Sequence, residues 1–348
     1  MHHQADDGAR PQSGPEVAAQ PRPAAGRTAT ATAEEEPRRG RFAYLGPEGT
    51  FTEVALLQVT DPTESELVPC LDVVTALEKV RTGEADYAVV PIENSVEGGV
   101  NVTLDALSAG SPLVIVAEML VPITFVLAAR EGMTLERVRR VSTHPHAWAQ
   151  CRGWVAAHLT DAVHVPATST AAAAALLAQE PAPGFDAALV NPHSAGKYGL
   201  QVIADGVADN PHAVTRFVLV AKPGYVPEPT GADKTTLVVH LPDNEAGALL
   251  HMLEQFATRG VNLSRIESRP IGDSLGRYSF SIDAEGHVAE ERVQATLIGL
   301  HRVCPMVRFL GSYPRADGQR PHVRPGTYDA DFKAAREWVA NLLAGLAV

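Results

Sequence analysis

The stretch Arg41-Phe42-Ala43-Tyr44-Leu45-Gly46-Pro47-Glu48-Gly49-Thr50 sets the pattern of the longest part of the chain. A short apolar run passes into small, turn-forming residues, and a helical pattern begins directly after them. Further apolar runs at 87–92, 114–117, 123–128 and 187–190 alternate with helical patterns. This alternation of strands and helices predicts an α/β fold.

Residues 1–40 have a different composition. They are rich in Ala, Pro, Gly, Arg and Glu, and they contain few large apolar side chains. Such a segment cannot bury enough apolar surface to offset the entropy lost on ordering. We therefore expect a disordered tail before the first strand.

The C-terminal part of the chain follows another pattern. A Pro- and Gly-rich linker at 223–233 ends the α/β unit of residues 41–222. After it come six elements in the order strand, helix, strand, strand, helix, strand, and this order predicts a ferredoxin-like βαββαβ domain at 234–313. In the extension 314–348, apolar residues at helical spacing predict an amphipathic helix packed on the body.

The composition excludes several classes of function. The 348-residue chain has a net charge of −12, which argues against binding nucleic acid or an anionic membrane. Its three cysteines, Cys70, Cys151 and Cys304, are odd in number and lack zinc spacing. Without a long apolar run or a secretory signal, the sequence predicts a cytoplasmic protein.

Three loops join a strand to the start of a helix, at 46–50, 143–146 and 168–170. A helix N-terminus offers unpaired N–H groups and partial positive charge, so each loop could hold a carboxylate or phosphate. Small hydroxyl residues also cap helices without any ligand, and the sequence leaves both roles open. Three such loops in one acidic protein favour a small dianionic ligand.

Polar residues also end two other elements. Glu93 and Asn94 close a buried strand, and strand ends are where open α/β sheets bind ligands. Gln150 lies seven residues after Thr143, two helical turns, so the two could share one face. An Asx-turn at Asn94 and a solvent-facing Gln150 are the structural alternatives.

The tripeptide Thr215-Arg216-Phe217 places a hydroxyl, a guanidinium and an aromatic ring at the mouth of a buried strand. No dinucleotide fingerprint, P-loop or nucleophile elbow accompanies it, so we expect no cofactor. We also expect no metal at His144 and His146, because an i, i+2 pair that begins a helix points apart.

The motifs together resemble those of prephenate dehydratases. Five occur in the family's order: Tyr44 to Phe51, Pro91 to Ser95, Thr143 to Pro145, Thr168 to Thr170, and Thr215 to Phe217. The segments Gly247-Ala248-Leu249-Leu250 and Glu267-Ser268-Arg269-Pro270 resemble the two signature motifs of that family's ACT regulatory domain. The chain departs at Thr143, where many members have Ser, and at Leu250, where many have Val.

The resemblance implies a cofactor-free enzyme of phenylalanine biosynthesis that converts prephenate to phenylpyruvate, carbon dioxide and water. Its catalytic domain would have two lobes, like a periplasmic binding protein, with the site between them. L-Phenylalanine would bind the ACT domain as effector at a subunit interface, which implies a homodimer or homotetramer.

The resemblance also implies roles for individual residues. The catalytic threonine would be Thr215. The substrate-binding residues would be Glu93, Asn94, Thr143, Gln150, Thr168, Ser169, Thr170, Arg216 and Phe217. Arg216 could anchor a carboxylate or serve as a structural ion pair. The phenylalanine-binding residues would be Gly247, Ala248, Leu249, Leu250, Asn262, Leu263, Glu267, Ser268, Arg269 and Pro270.

Two other functions compete with this interpretation. A non-catalytic amino-acid sensor would keep the ACT motifs but lose the Thr-Arg-Phe motif, which is intact here. A non-aromatising prephenate decarboxylase would lack both. Arogenate, which carries an amino group where prephenate carries a keto group, remains open as the substrate.

Overall fold

The structure, a computed structural model, describes residues 38–242, 245–271 and 278–346. Residues 1–37, which make up most of the predicted tail, lie outside this part. Two α/β lobes, each built on its own sheet, are followed by a third domain with a separate sheet. In these three described ranges, no helix is long and apolar enough to cross a bilayer.

The first lobe is built on a six-stranded sheet. Its N-terminal elements are β1 (Arg41–Leu45), α1 (Phe51–Leu56), β2 (Glu66–Cys70), α2 (Val73–Thr82), β3 (Tyr87–Asn94), β4 (Gly98–Gly99), α3 (Asn101–Ser108) and β5 (Val114–Pro122). β1 lies between β2 and β3 and is parallel to both. The predicted loop at 46–50 does end in a helix cap, because the Thr50 hydroxyl accepts the Glu53 backbone N–H.

The second lobe is one continuous segment with a five-stranded sheet. Its elements are β6 (Val126–Ala129), β7 (Arg140–Thr143), α4 (Pro145–Gln150), α5 (Arg152–His158), β8 (Val163–Pro166), α6 (Thr170–Gln179), β9 (Ala187–Val190), α7 (Pro192–Lys197) and β10 (Gln201–Ala204). The strand order is β10-β6-β9-β7-β8, with β7 parallel to β8 and β9. β9 is buried at every position, which explains its uninterrupted apolar sequence.

The chain returns to the first lobe through β11 (Val214–Ala221). This strand lies between β3 and β5 and is antiparallel to both. Phe217 and Leu219 pack in one core, whereas Val218 and Val220 pack in the core on the opposite side of the sheet. Neighbouring residues of β11 therefore face opposite sides of the sheet.

The third domain contains β12 (Asp233–His240), α8 (Ala248–Ala257), β13 (Leu263–Pro270), β14 (Tyr278–Glu285), α9 (Glu291–Val303) and β15 (Met306–Pro314). Its antiparallel sheet has the order β13-β14-β12-β15. The predicted ferredoxin-like βαββαβ fold is confirmed. α8 begins at Ala248, directly after Gly247, which takes a left-handed conformation with φ of 93°.

The C-terminal extension forms the helix α10 (Asp329–Leu343). It contacts α9 through the Arg336–Glu291 ion pair, but none of its residues is buried. Trp338 is 52% exposed and Leu343 is 85% exposed. The expected amphipathic helix is therefore present. Its apolar face, which we expected to pack on the body, is exposed.

The third domain packs against the first lobe along β15 and β5. Val238 and Leu310 share a core with Val218 of the first lobe's sheet. Where β15 meets β5, a Cβ added to Gly311 would clash with the backbone oxygen of Ile115. Because backbone cannot move aside as a flexible side chain can, this position requires glycine.

We therefore expect Gly311→Ala to lower the free energy of unfolding by about 3 kcal/mol or more, because the added methyl group forces the two sheets apart. Gly318→Ala is the matched control. Gly318 also has a positive φ, but nothing lies within 4 Å of its added Cβ, so its loss is only about 1 kcal/mol. Urea unfolding of both variants gives the comparison, and equal losses would contradict the close-packing argument.

Candidate active site

A cleft of about 1150 Å³ opens between the two lobes. Its walls come from the turn after β1, the ends of β3 and β11, and the first residues of α4 and α6. Six of the residues predicted to bind substrate or to catalyse line it: Asn94, Gln150, Thr168, Ser169, Thr170 and Thr215. These residues come from four separate segments, and the fold brings them to one cavity.

Thr215 is held by Asn94 across the strand pair β3–β11. The Asn94 amide oxygen accepts the backbone N–H groups of Val96 and Glu97, at 2.8 and 3.2 Å. This fixes the orientation of the amide, whose nitrogen donates to the Thr215 hydroxyl oxygen at 2.8 Å. Since that oxygen accepts from Asn94, the Thr215 proton is left for a partner in the cleft.

The start of α6 forms the wall contributed by the second lobe. Ser169 caps the helix, because its hydroxyl accepts the Ala172 N–H at 2.9 Å. Thr168 and Thr170 flank this cap and also line the cleft. The ten-residue helix therefore directs the positive end of its dipole, together with two hydroxyl groups, at the cavity.

Other polar residues of the cleft escaped the sequence prediction. Glu97 and Tyr198 line it, and the Glu97 carboxylate lies 3.3 Å from His146. Burial, followed by the neighbouring His146, lowers the pKa of His144, which favours its neutral form. Glu97 lies just beyond a strand end that was singled out, but nothing in the sequence around Tyr198 pointed to the cleft.

Three residues predicted to bind substrate lie away from the cleft lining. Thr143 is fully buried, and its hydroxyl donates to the Leu189 carbonyl at 2.7 Å. Phe217 is 2% exposed and packs in the core on the α1 side of the sheet. Glu93 faces Arg216 at 3.3 Å. The structure therefore gives these three residues packing and pairing contacts.

Arg216 also lies away from the cleft, on the face of β11 opposite Thr215. Its Nε donates to Glu118 at 2.6 Å, and its two terminal nitrogens donate to Asp283 at 2.5 Å and to Tyr313 at 2.7 Å. Asp283 and Tyr313 belong to the third domain. Of the two roles left open by the sequence, the structure gives Arg216 the structural ion pair and not the carboxylate anchor.

The partners of Arg216 are themselves joined in a network, which we call the interdomain charge network. Thr236 bonds to both Asp283 and Tyr313, at 2.7 and 2.5 Å, and closes a ring with Arg216. Arg265 donates to Asp283 at 2.8 Å, and Lys234 donates to Glu118 at 3.0 Å. The network contains side chains from all four strands of the third sheet.

This network shifts the ionisation of its members. Burial alone would raise the pKa of Asp283, but Arg216 and Arg265 outweigh it and hold that pKa well below its usual range. Burial also raises the pKa of Tyr313 far above its ordinary value, so the phenol stays protonated. Asp283 is therefore a buried carboxylate whose charge depends on its two guanidinium partners.

A second set of contacts, the interlobe latch, joins the lobes beside the cleft. The Gly49 carbonyl accepts from Asn191 at 2.8 Å and from Ser194 at 2.5 Å. Lys197 of α7 pairs with Glu53 of α1 at 2.6 Å. Burial disfavours the Lys197 ammonium, but its carboxylate partners outweigh that effect and raise its pKa. The latch therefore holds the turn after β1 against the second lobe.

In the described part of the chain, the cleft lacks the strongly basic side chains that are usual in a site for an anionic ligand. None of the described residues that line it is lysine or arginine. Within the described ranges, no cluster of three or more His, Cys, Asp or Glu side chains could hold a metal ion. The α6 N-terminus is therefore the source of positive potential at the described cleft lining.

The predicted effector residues lie on α8 and β13 in the third domain. Leu249 and Leu250 are exposed, whereas Ala248 is buried. Glu267 and Arg269 face the first lobe: the Glu267 carboxylate lies against Gly99, and Arg269 forms two bonds with Asp105, at 2.6 and 3.1 Å. Asn262, Leu263, Ser268 and Pro270 complete the predicted set, and Asn262 accepts the Glu285 N–H through its carbonyl. Part of this set thus contacts the catalytic unit.

Fold and site together define a two-lobed α/β protein of the periplasmic-binding type, with a cleft between its lobes and a ferredoxin-like C-terminal domain. Residues 42–224 match the family model described as prephenate dehydratase. The chain belongs to the prephenate dehydratase family.

Individual relatives agree with this assignment. The prephenate dehydratase of Amycolatopsis methanolica is 47% identical over 88% of this chain and 98% of its own length. A crystal structure of the prephenate dehydratase from Arthrobacter aurescens in complex with L-Phe is 57% identical, with a TM-score of 0.83 over 87% of this chain and 99% of that one. A further solved structure, described as a novel type of quorum-quenching acylase, is 29% identical, with a TM-score of 0.70 over 79% of this chain and 97% of that one.

The low pKa of Asp283 leads to a pH prediction. Its ionised form contributes stability above the unfolded-state pKa of about 3.9, and this contribution is lost as the pH falls towards the lower folded-state pKa. Asp283→Asn should lower the free energy of unfolding by about 3 kcal/mol at pH 7, since it leaves buried guanidinium groups without their partner. The gap, which is the difference in free energy of unfolding between wild type and variant, should stay constant down to about pH 5 and narrow below about pH 4.

Urea unfolding between pH 7 and pH 3 at fixed ionic strength measures this gap. The exposed residue Asp161 supplies the control, since Asp161→Asn should leave the stability nearly unchanged throughout. A gap for Asp283→Asn that keeps its full size at pH 3 would contradict the ionisation argument.

Proposed function

We propose that this chain converts prephenate to phenylpyruvate, carbon dioxide and water in the interlobe cleft, with Thr215 as hydrogen-bond donor to the departing hydroxyl. The observation that carries the proposal is the bond from the Asn94 amide to the Thr215 oxygen at 2.8 Å. It leaves the hydroxyl proton available to a substrate oxygen. Membership of the prephenate dehydratase family supports the reaction.

The reaction asks little of the protein beyond positioning. The bond between the ring and its carboxylate breaks, and its electron pair enters the ring as carbon dioxide leaves. The C–OH bond breaks at the same time, and the hydroxyl leaves with its electron pair and takes one proton, supplied by solvent, to become water. Aromatisation supplies the driving force, so the enzyme needs orientation and polarisation of the leaving oxygen.

Thr215 suits polarisation better than full proton transfer. An aliphatic alcohol is too weak an acid to give up a free proton, but a positioned O–H group stabilises negative charge as it develops on the leaving oxygen. Gln150 and the threonines that flank Ser169 offer further hydrogen bonds to the substrate's carboxylates and keto group. The α6 N-terminus adds positive potential at the same wall.

The absence of lysine and arginine from the described cleft lining fits a decarboxylation. A strong ion pair with the ring carboxylate would stabilise the group that must lose its charge, and would therefore raise the barrier. Dipoles and hydroxyl groups hold the substrate more weakly in the ground state. We propose that the cleft binds the dianion through such groups and leaves the ring carboxylate without a fixed cation.

Incubation of the purified protein with prephenate tests the reaction itself, with phenylpyruvate absorbance as the readout. We expect an aromatic product, and arogenate offered in parallel decides between the two substrates. A non-aromatic product, or none, would overturn the assignment.

Thr215→Val should lower kcat by about 10² to 10⁴-fold, because it removes one positioned donor to the leaving group. Thr215→Ser is the matched control, since it keeps the hydroxyl and should stay within about tenfold of the wild type. Steady-state kinetics with prephenate, together with circular dichroism to verify folding, measure both. A folded Thr215→Val enzyme with wild-type turnover would remove Thr215 from the mechanism.

We further propose that L-phenylalanine binds the third domain near Gly247 to Leu250, Asn262, Leu263 and Glu267 to Pro270, and that it alters turnover from there in a homodimer or homotetramer. The L-Phe complex of the Arthrobacter aurescens relative supports binding of this amino acid. The contacts of Glu267 and Arg269 with Gly99 and Asp105 supply a physical connection to the first lobe.

Calorimetry on the full-length protein tests this binding, and the same samples show whether phenylalanine changes kcat or KM. Asn262→Ala should weaken binding about tenfold, because it removes a polar partner of the ligand, while turnover without phenylalanine persists. Ile298→Ala is the control, because Ile298 is an exposed residue of α9, and this variant should bind phenylalanine as tightly as the wild type does. No measurable binding to the wild type would contradict the proposal.

A further inference from the structure

The strand that carries Thr215 is held from behind by the third domain. Thr215 faces the cleft, and the next residue, Arg216, inserts its guanidinium among Glu118, Asp283 and Tyr313 on the opposite face of the sheet. We propose that Arg216 and Tyr313 are positioning residues for Thr215: the third domain sets the place of the Thr215 hydroxyl by fixing the neighbouring side chain. This inference rests on the proposed role of Thr215 in the dehydratase reaction.

Thr215 pairs with β5 in regular register, but its pairing with β3 becomes irregular directly after Arg216. The pairing of β11 with β3 shifts register between Arg216 and Phe217, where Ile92 of β3 is passed over. A bulge of this kind interrupts the ladder locally and bends the strand that carries the extra residue, here β3. The Asn94–Thr215 bond lies on the short segment between this bulge and the end of β11. A side-chain anchor at Arg216 restores a fixed position next to the catalytic hydroxyl.

The anchor has the geometry needed for this task. All three nitrogens of the Arg216 guanidinium have partners, and the group is held in a planar fork of donors. The Tyr313 hydroxyl oxygen accepts a hydrogen bond from Arg216. Because the Thr236 hydroxyl donates its one proton to Asp283, the Tyr313 hydroxyl must be the donor in its bond to Thr236. Removal of the Tyr313 oxygen therefore breaks the ring of bonds around Arg216 and leaves every charge in place.

Tyr313→Phe is the test variant, and β15 supplies its matched control. Ser312 precedes Tyr313, is fully buried, and its hydroxyl bonds to Thr235 at 2.5 Å, away from Arg216. Tyr313→Phe and Ser312→Ala thus each remove one buried hydroxyl from neighbouring positions of one strand. Only Tyr313→Phe disturbs the anchor of Arg216.

We expect Tyr313→Phe to lower kcat for prephenate by about fivefold to tenfold with KM within about twofold, since small displacements of a catalytic group reduce turnover strongly. Ser312→Ala should keep kcat within about twofold, although both variants lose similar stability. In a Thr215→Val background, Tyr313→Phe should have little further effect, below about twofold, because the hydroxyl that it positions is already gone.

The outcomes separate the possible failures. Wild-type kcat in folded Tyr313→Phe overturns the inference, and so does an equal loss of kcat in both Thr215 backgrounds or in Ser312→Ala, since these indicate a general structural effect. Full turnover in Thr215→Val would instead overturn the proposed role of Thr215. Inactivity of the wild-type protein towards prephenate would overturn the proposed function itself.

Discussion

The insertion of β11 between β3 and β5 is the constraint on which the rest of the molecule depends. It completes the first sheet, and its antiparallel direction brings Thr215 opposite Asn94 at the cleft. The alternation of side chains along a strand then assigns each neighbour its side: the hydroxyl faces the cavity and the guanidinium faces the third domain. A shift of one residue would place the Arg216 guanidinium at the cleft and the Thr215 hydroxyl at the domain contact, so register decides which group faces the cavity.

Three buried cations lie behind the site. Arg216, Arg265 and Lys234 lie in the interdomain charge network, where Glu118 and Asp283 neutralise them, whereas the described cleft lining has no lysine or arginine. The cations therefore stabilise the contact between domains, whereas a helix dipole and hydroxyl groups provide the polar contacts of the cleft. This division suits a substrate that must shed a charged group, because weak ground-state contacts leave the barrier low.

Much of the fold was predictable from sequence, because strand and helix periodicity and the turn residues between them are local properties. The βαββαβ domain was found in this way. The six cleft residues from Asn94 to Thr215 lie at the ends of strands and helices, but their site roles were implied by the resemblance to prephenate dehydratases. Sequence did not predict whether a given residue lines the cleft or lies buried elsewhere, where contacts with distant residues decide this. Hydrogen bonds to Asp283 and Tyr313 hold Arg216 away from the cleft, and a bond to the Leu189 carbonyl does the same for Thr143. All of these partners are distant in sequence. The exposed apolar face of α10 likewise depends on tertiary packing, which periodicity alone does not report.

The path of the chain also has a consequence for folding. Asn94 and Thr215 are 121 positions apart, and the whole second lobe lies between them. During synthesis, β3 and β5 are complete long before β11 emerges, so their facing edges wait unpaired while the second lobe forms. Unpaired strand edges invite pairing with other chains, and long-range closure is slow. The strand that carries Thr215 is thus the last piece of its own sheet, and a nascent chain that stalls before residue 214 lacks both this strand and the hydroxyl that we propose as catalytic.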